Sequence, residues 1–183
     1  QKLRSEVGRL RSLKRARPEL VVAVAGCVAE QEGKRLLRDE SLIDLVLGPD
    51  HLAELPMLVH DVRLGGPPKV RTGFDVEAPV FLAFDAEARG NRSPVSAYVT
   101  TMKGCDERCS FCIVPYTRGP ERYRPATDIV REAAALVQAG AVELTLLGQT
   151  VNSWSSPLTT NSTAEGEPGD FGSLLRHLVD KVP

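Results

Sequence analysis

Three closely spaced cysteines are the residues of this chain best suited to do chemistry. Cys105, Cys109 and Cys112 have the spacing C-x-x-x-C-x-x-C. Thiolates are the usual ligands of iron–sulfur clusters. Three ligands for a four-iron cluster leave one iron open, and catalytic metal sites use an open position to bind a substrate or cofactor. The spacing therefore predicts a cluster site of this kind.

Other interpretations of the triad fit less well. A structural zinc site normally needs four protein ligands, but Cys27 is distant in sequence and no histidine lies in this loop. Cys109 and Cys112 alone form C-x-x-C, the spacing of a thioredoxin-like redox pair. A buried, inert side chain is the usual state of a lone cysteine, yet three in one polar loop do not match it.

Composition narrows the class of protein. Hydrophobic residues make up 42% and charged residues 26%, which is typical of globular proteins. The net charge of −1 gives no overall attraction to nucleic acid. Clustered cysteines favour metal or redox chemistry in a reducing compartment over a secreted disulfide scaffold. No apolar run of membrane-spanning length is present, so the sequence predicts a cytoplasmic protein without membrane association.

The first part of the chain predicts a partial α/β domain. Apolar residues at three- and four-residue steps predict an amphipathic helix over residues 1–17, whose cationic face is either solvated or turned towards RNA. A strand over 20–25, a helix over 28–38 and a strand over 43–47 predict a parallel βαβ unit. Cys27 then lies at the carboxyl end of a strand, where open α/β sheets bind ligands.

The second part predicts another strand, helix and strand. A strand over 96–102 leads into the triad, and a helix capped by Thr127 or Asp128 runs to about residue 139. A buried strand over 142–147 follows. The cysteines and the loop over 148–152 are then at the same strand ends, where barrels build their active sites. The predicted inner stripe of the helix consists of Ile129, Val130, Ala133, Leu136 and Val137.

Glycine- and proline-rich stretches divide these regions. An extended stretch is predicted near residues 80–84, an exposed mobile loop over 155–170, and a helix over 171–182. The predicted organisation is a partial domain over 1–66, a linker over 67–94 and a second α/β region over 95–183.

The stretches around the cysteines resemble a known family. Residues 98–125 read YVTTMKGCDERCSFCIVPYTRGPERYRP, residues 146–154 read LLGQTVNSW, and residues 25–33 read AGCVAEQEG. These stretches are similar to those of the radical-SAM methylthiotransferases. The likeness is greatest to the members that modify isopentenyl adenosine beside the anticodon of tRNA, and it extends over about residues 20–182.

The resemblance implies cofactors and a reaction. Cys105, Cys109 and Cys112 would bind a 4Fe–4S cluster whose open iron chelates S-adenosylmethionine (SAM). An electron from a reducing donor protein would cleave SAM to a 5′-deoxyadenosyl radical, which allows a methylthio group to be attached at carbon 2 of the tRNA adenosine. Cys27 matches one ligand of the family's auxiliary 4Fe–4S cluster, whose other two ligands are absent from this sequence.

The resemblance also implies the fold. It predicts a partial N-terminal methylthiotransferase domain followed by the first part of a radical-SAM (βα) partial TIM barrel. The rest of the barrel and the C-terminal RNA-binding domain are absent from this sequence. The chain is therefore expected to be an internal fragment that does not complete the reaction alone.

Further site residues follow from the resemblance. Phe111 matches an aromatic residue that packs near the SAM adenine, with loop packing as the alternative. Gln149 and Asn152 follow the second barrel strand, where related enzymes contact SAM. Their amides can hydrogen-bond an amino acid or a ribose, or they can cap the turn.

A basic, aromatic stretch follows the triad. Arginine and tyrosine suit phosphate contact and base stacking, so this stretch is a candidate tRNA contact, with surface ion pairing as the alternative for each residue. Its members are Tyr116, Arg118, Arg122, Tyr123 and Arg124.

Two other classes of function stay open. One is a non-catalytic metal- or RNA-binding fragment, which bound zinc or an absence of metal would favour. The other is a sister methylthiotransferase acting on threonylcarbamoyladenosine in tRNA or on a ribosomal protein. The GQTVN and IVPYTRG stretches argue against the sister families.

Overall fold

The computed structural model describes residues 2–77, 81–82, 95–157 and 168–182. The chain divides into two compact units, one of Gln1–Val80 with Tyr116–Arg118 and one of Phe81–Pro115 with Gly119–Pro183. The extended stretch predicted near 80–84 and the loop predicted over 155–170 lie largely outside the described residues. The division predicted at residues 66 and 95 stays a prediction.

The first unit is built on a parallel sheet in the order β1-β2-β3. Val24 of β1 pairs with Val46 of β2, and Val46 pairs with Val70 of β3, which confirms the predicted parallel arrangement of the first two strands. Its elements are α1 (Lys2–Ala16), β1 (Ala23–Ala25), α2 (Cys27–Glu32), α3 (Lys34–Asp39), β2 (Leu45–Leu47), a 3-10 helix (Pro49–Glu54), α4 (Leu55–Arg63) and β3 (Lys69–Arg71).

The position of β2 at the centre of the sheet explains why its sequence is continuously apolar. Val46 packs into a cluster with Val7 of α1 and Leu36 of α3. Leu45 and Leu47 belong to a second cluster that includes Leu58 of α4. Because side chains alternate between the faces of a strand, β2 is buried on both faces.

One prediction for this unit is wrong, and one strand was not predicted. The single helix expected over 28–38 is two helices, because Gly33 adopts φ 48° and ψ −129° between them, and glycine reaches positive φ without a steric penalty. The range expected as a linker contains β3 (Lys69–Arg71), which pairs with β2. This edge strand has only one apolar residue, so no apolar run predicted it.

Several cations of α1 are engaged within the chain. Arg4 lies 2.9 Å from Asp39, and Arg9 lies 2.9 Å from Glu6. Lys14 pairs with Asp44. These contacts favour the interpretation of a solvated, ion-paired face for these cations.

The second unit contains two strand pairs. The parallel pair β4–β7 aligns Val99 with Leu146, and the antiparallel pair β5–β6 aligns Met102 with Tyr123. The elements are β4 (Ser96–Thr100), β5 (Met102–Lys103), α5 (Val114–Arg118, whose last three residues belong to the first unit), β6 (Arg122–Tyr123), α6 (Ala126–Gln138), β7 (Glu143–Leu147), a 3-10 helix (Val151–Ser153) and α7 (Phe171–Lys181).

The core of this unit lies between the β4–β7 pair and helices α6 and α7. It includes Val99, Ile129, Leu136, Trp154 and Leu174, each no more than 2% exposed. The strand, helix and strand predicted around the triad are thus confirmed. None of the helices in the described ranges has the length and apolarity needed to cross a membrane.

Three details of this unit differ from prediction. Helix α6 is not capped by Thr127 or Asp128: its N-cap is Pro125, and no side chain caps it. Proline suits this place because the first N–H groups of a helix lack intrahelical partners. Val130 and Val137 of the predicted stripe are only half-buried, and β7, predicted to be buried, has exposed ends at Glu143 and Leu147.

Candidate cluster site at the cysteine loop

The cysteine loop begins at a close approach of two backbone segments. Gly104 follows β5 with φ 78°, and a Cβ atom there would lie 1.8 Å from the carbonyl oxygen of Pro120. The next residue, Cys105, donates its N–H to the carbonyl oxygen of Gly119 at 3.1 Å. Only glycine fits at the start of this loop, and residues 119–120 hold Cys105 in place.

The three thiols of the loop differ in their exposure. All are free, with Cys105 buried, Cys112 half-buried and Cys109 exposed. The Cys112 N–H donates to the Cys109 carbonyl oxygen at 3.1 Å, so these two residues share a turn. Three free thiols on one loop are donors of the type that iron–sulfur clusters use, and in a four-iron cluster they would leave one iron without a protein ligand.

The ligands of a single metal ion are arranged differently from those of a four-iron cluster. Within the described ranges, no group of three or more His, Cys, Asp or Glu side chains is gathered so that it could hold one ion. The thiolate ligands of a four-iron cluster bind separate irons, so they do not converge on one point.

The loop after β7 lies beside the cysteine loop, as predicted. The Thr101 N–H donates to the Leu147 carbonyl oxygen at 2.8 Å, and the Thr101 hydroxyl donates to the same oxygen at 3.1 Å. The following loop brings Thr150 Oγ1 to 3.0 Å from Cys105 Sγ. A polar group from the second strand end therefore touches a candidate cluster ligand.

A polar network joins both loops to the segment around β6. Ser153 Oγ lies 2.9 Å from Glu121 Oε2 and 2.8 Å from the Thr150 carbonyl oxygen. Tyr123 donates its hydroxyl to Glu121, and the Glu121 N–H donates to Asp106 at 3.1 Å. Burial raises the pKa of Tyr123, and the hydrogen bond to Glu121 raises it further. Sequence reasoning missed Thr150, Glu121 and Ser153, although all three lie in or beside the stretches that carry the resemblance.

The residues predicted to contact SAM are exposed to solvent. Phe111 is 91% exposed, so the alternative of loop packing does not hold for it. Gln149 and Asn152 are exposed at the end of β7. The N-cap of the 3-10 helix there is Thr150, and no side chain caps it. Their roles in binding SAM stay predictions.

Two arginines of the predicted tRNA contact are buried. Arg122 is 4% and Arg124 is 3% exposed, so the prediction of a surface stretch is wrong for both. Arg124 pairs with Glu132 of α6 and donates to the Thr100 carbonyl oxygen at 3.2 Å. Trp154 donates its indole N–H to the Arg124 carbonyl oxygen at 2.9 Å, which fixes the segment after β6 against the core.

Cys27 lies in the first unit, at the predicted strand end. Gly26, with φ 102°, separates it from β1, and Cys27 is the first residue of α2. Its thiol is half-exposed and accepts a hydrogen bond from Arg118 Nε at 3.1 Å. Arg118 belongs to the same compact unit. The candidate auxiliary ligand therefore has a cationic neighbour.

Comparison with known proteins finds two families that match parts of the chain. Residues 99–178 match the Radical SAM superfamily, and residues 1–48 match the Uncharacterized protein family UPF0004. A tRNA-2-methylthio-N(6)-dimethylallyladenosine synthase of Sorangium cellulosum is 54% identical over 193 residues, which is 100% of this chain and 39% of that protein. The chain is thus similar in separate stretches to these two families, and along its whole length to this synthase.

Two further relatives show the same likeness. Proteins with the same name from Burkholderia ambifaria and Nitrosospira multiformis are each 41% identical, over 98% and 97% of this chain. The chain spans 36–39% of the length of these three relatives. The Radical SAM match covers the triad and the Thr150 loop, and the UPF0004 match covers Cys27.

Proposed function

We propose that this chain is part of a tRNA methylthiotransferase that attaches a methylthio group to isopentenyl adenosine beside the anticodon. The observation that carries the proposal is the set of free thiols at Cys105, Cys109 and Cys112 on one loop, beside a second strand-end loop that reaches Cys105 through Thr150. The family and the names of the relatives support the substrate class.

The triad is the proposed cluster site. When bound, a reduced 4Fe–4S cluster with SAM supplies the radical chemistry that carbon–hydrogen activation needs. Cys105, Cys109 and Cys112 would hold three of the irons and leave the fourth open for SAM. Cys105 would hold the cluster from a buried position and Cys109 from an exposed one.

The exposed side chains at the same strand ends would hold SAM. The ring of Phe111 offers an apolar surface for the adenine, because it is 91% exposed and gains burial when covered. The amides of Gln149 and Asn152 are free to donate and accept hydrogen bonds with the amino acid or ribose part of SAM.

Cys27 is the proposed ligand of a second, auxiliary 4Fe–4S cluster. The guanidinium of Arg118 donates a hydrogen bond to the sulfur of Cys27 at 3.1 Å, a contact that a ligating sulfur can retain. The proposed partners are tRNA and a reducing electron donor protein. Since tRNA and such donors are cytoplasmic, we place the reaction in the cytoplasm. We also propose a division into an N-terminal domain over 1–66 and a barrel part over 95–183, joined by a connection over 67–94 that also contributes β3 to the first sheet.

The test is whether the reconstituted chain engages SAM. After anaerobic reconstitution, the electron paramagnetic resonance (EPR) spectrum of the reduced chain is recorded with and without SAM, and release of 5′-deoxyadenosine is measured. We expect a SAM-dependent spectral change and SAM cleavage, and both should be absent from Cys109→Ala. A spectrum that SAM leaves unchanged, with no SAM cleavage, would contradict the proposal.

A further inference from the structure

A hydroxyl from a distant part of the chain contacts one thiol of the triad. Thr150 Oγ1 lies 3.0 Å from Cys105 Sγ, although the two residues are 45 positions apart. Cys105 is 8% exposed, whereas Cys109 is exposed. Hydrogen bonds are electrostatically stronger where the protein shields them from water. The burial of Cys105 therefore strengthens its hydrogen bond with Thr150.

The backbone fixes the position of this hydroxyl. Thr150 is the N-cap of the 3-10 helix Val151–Ser153, and its carbonyl oxygen accepts the Ser153 N–H at 2.8 Å. Ser153 Oγ lies 2.8 Å from the same oxygen and 2.9 Å from Glu121 Oε2. The Thr150 loop is therefore held both by its own turn and by the segment around β6.

We propose that Thr150 is a positioning residue that donates a hydrogen bond to the Cys105 sulfur when this sulfur is an iron ligand. The inference rests on the proposed function of the triad. A ligating thiolate has no proton, so the hydroxyl must be the donor. Hydrogen bonds to cluster sulfurs tune the reduction potential of the cluster, and partners of this kind also orient the ligand itself.

The direction in which the hydroxyl changes the reduction potential follows from charge. Reduction adds an electron to the cluster and its thiolates, and a hydrogen-bond donor stabilises the more negative state. The Thr150 hydroxyl therefore raises the reduction potential of the triad cluster. The same bond ties the loop that carries Gln149 and Asn152 to the cluster, so it connects the proposed SAM contacts with the iron site.

The test compares two substitutions in the reconstituted chain. Thr150→Val keeps the shape of the side chain but removes the hydroxyl, and Thr150→Ser retains the hydroxyl. The midpoint potential is measured by EPR-monitored redox titration, alongside the iron content. The emission of Trp154, the only tryptophan, which is 1% exposed, reports whether the surrounding fold is intact.

We expect Thr150→Val to shift the midpoint to a more negative potential, and Thr150→Ser to stay close to the original chain. Loss of the cluster in Thr150→Val but not in Thr150→Ser, with unchanged Trp154 emission, would also support the role. An unchanged potential in Thr150→Val, or equal changes in both variants, would overturn the inference alone. Failure of the original chain to bind iron would overturn the proposed function and this inference with it.

Discussion

The carbonyl oxygen of Pro120 occupies the space that a side chain on Gly104 would need. A Cβ atom at Gly104 would lie 1.8 Å from that oxygen and 2.5 Å from the carbonyl oxygen of Gly119. Since Gly119 also accepts the Cys105 N–H, the position of the first cysteine depends on this close backbone approach.

Gly104→Ala is therefore expected to displace Cys105 and to lower the iron content of the reconstituted chain. The positive φ alone costs on the order of 1–3 kcal/mol for a residue with a Cβ atom, and the backbone clash adds to it. The matched control is Gly65→Ala, where φ is +90° but nothing lies within 4 Å. Equal iron contents in the two variants would contradict this account of the loop.

The buried pair of Arg124 and Glu132 should be costly to break from one side. The two side chains are 4% and 8% exposed, so Arg124→Met removes a cationic partner from a buried carboxylate. We expect a loss of about 3–5 kcal/mol in the free energy of unfolding, measured by urea titration of Trp154 fluorescence.

The double variant Arg124→Met/Glu132→Met is the control for this pair. The double variant no longer buries the Glu132 carboxylate without Arg124, so part of the lost stability should return. A double variant less stable than Arg124→Met would contradict this explanation and indicate a different role for Glu132.

The cap that Asp170 forms at the start of α7 should make the stability of the chain depend on pH. Asp170 accepts the Ser173 N–H at 2.7 Å and donates its own N–H to Ser173 Oγ at 3.0 Å. Hydrogen bonds from the Ser173 side chain and then its backbone hold the pKa of Asp170 below its ordinary value of 3.8. The capping contribution is therefore fully present above that value and is lost as the pH falls through the lower pKa of the folded state.

Thermal unfolding followed by circular dichroism, from about pH 6 down to pH 2, measures this dependence. Asp170→Asn keeps an acceptor for the cap but does not titrate, so its unfolding temperature should fall less steeply in acid. The same acid dependence in both chains would show that Asp170 does not contribute to it.

Tyr123 should ionise at a higher pH than an ordinary tyrosine side chain. Burial and then the bond to Glu121 raise the pKa of Tyr123 above its ordinary value of 10.0. The stability that the neutral phenol contributes is present below that value and is lost as the pH rises through the higher pKa of the folded state. In a spectrophotometric titration, Tyr123→Phe should remove an ionisation step above the ordinary pKa of tyrosine, and a spectrum unchanged by the substitution in that pH range would contradict the network.

The sequence was sufficient to place the cysteines and the Gln149–Asn152 loop together, because carboxyl ends of parallel strands meet at one edge of a sheet. It was not sufficient to predict that Arg122 and Arg124 are buried, since arginine is almost never fully buried unless it is paired. The partner of Arg124, Glu132, is set by the packing of α6. The contact between Cys105 and Thr150 joins residues 45 positions apart, and no local pattern encodes it.

The most direct test of the central claim is an iron and sulfide count after anaerobic reconstitution of the chain, Cys27→Ala and Cys109→Ala. We expect about four irons and about four sulfides per chain in the first two, and a loss of both in Cys109→Ala. Bound zinc in place of iron, or an iron content that Cys109→Ala leaves unchanged, would contradict the assignment of the triad as a cluster site.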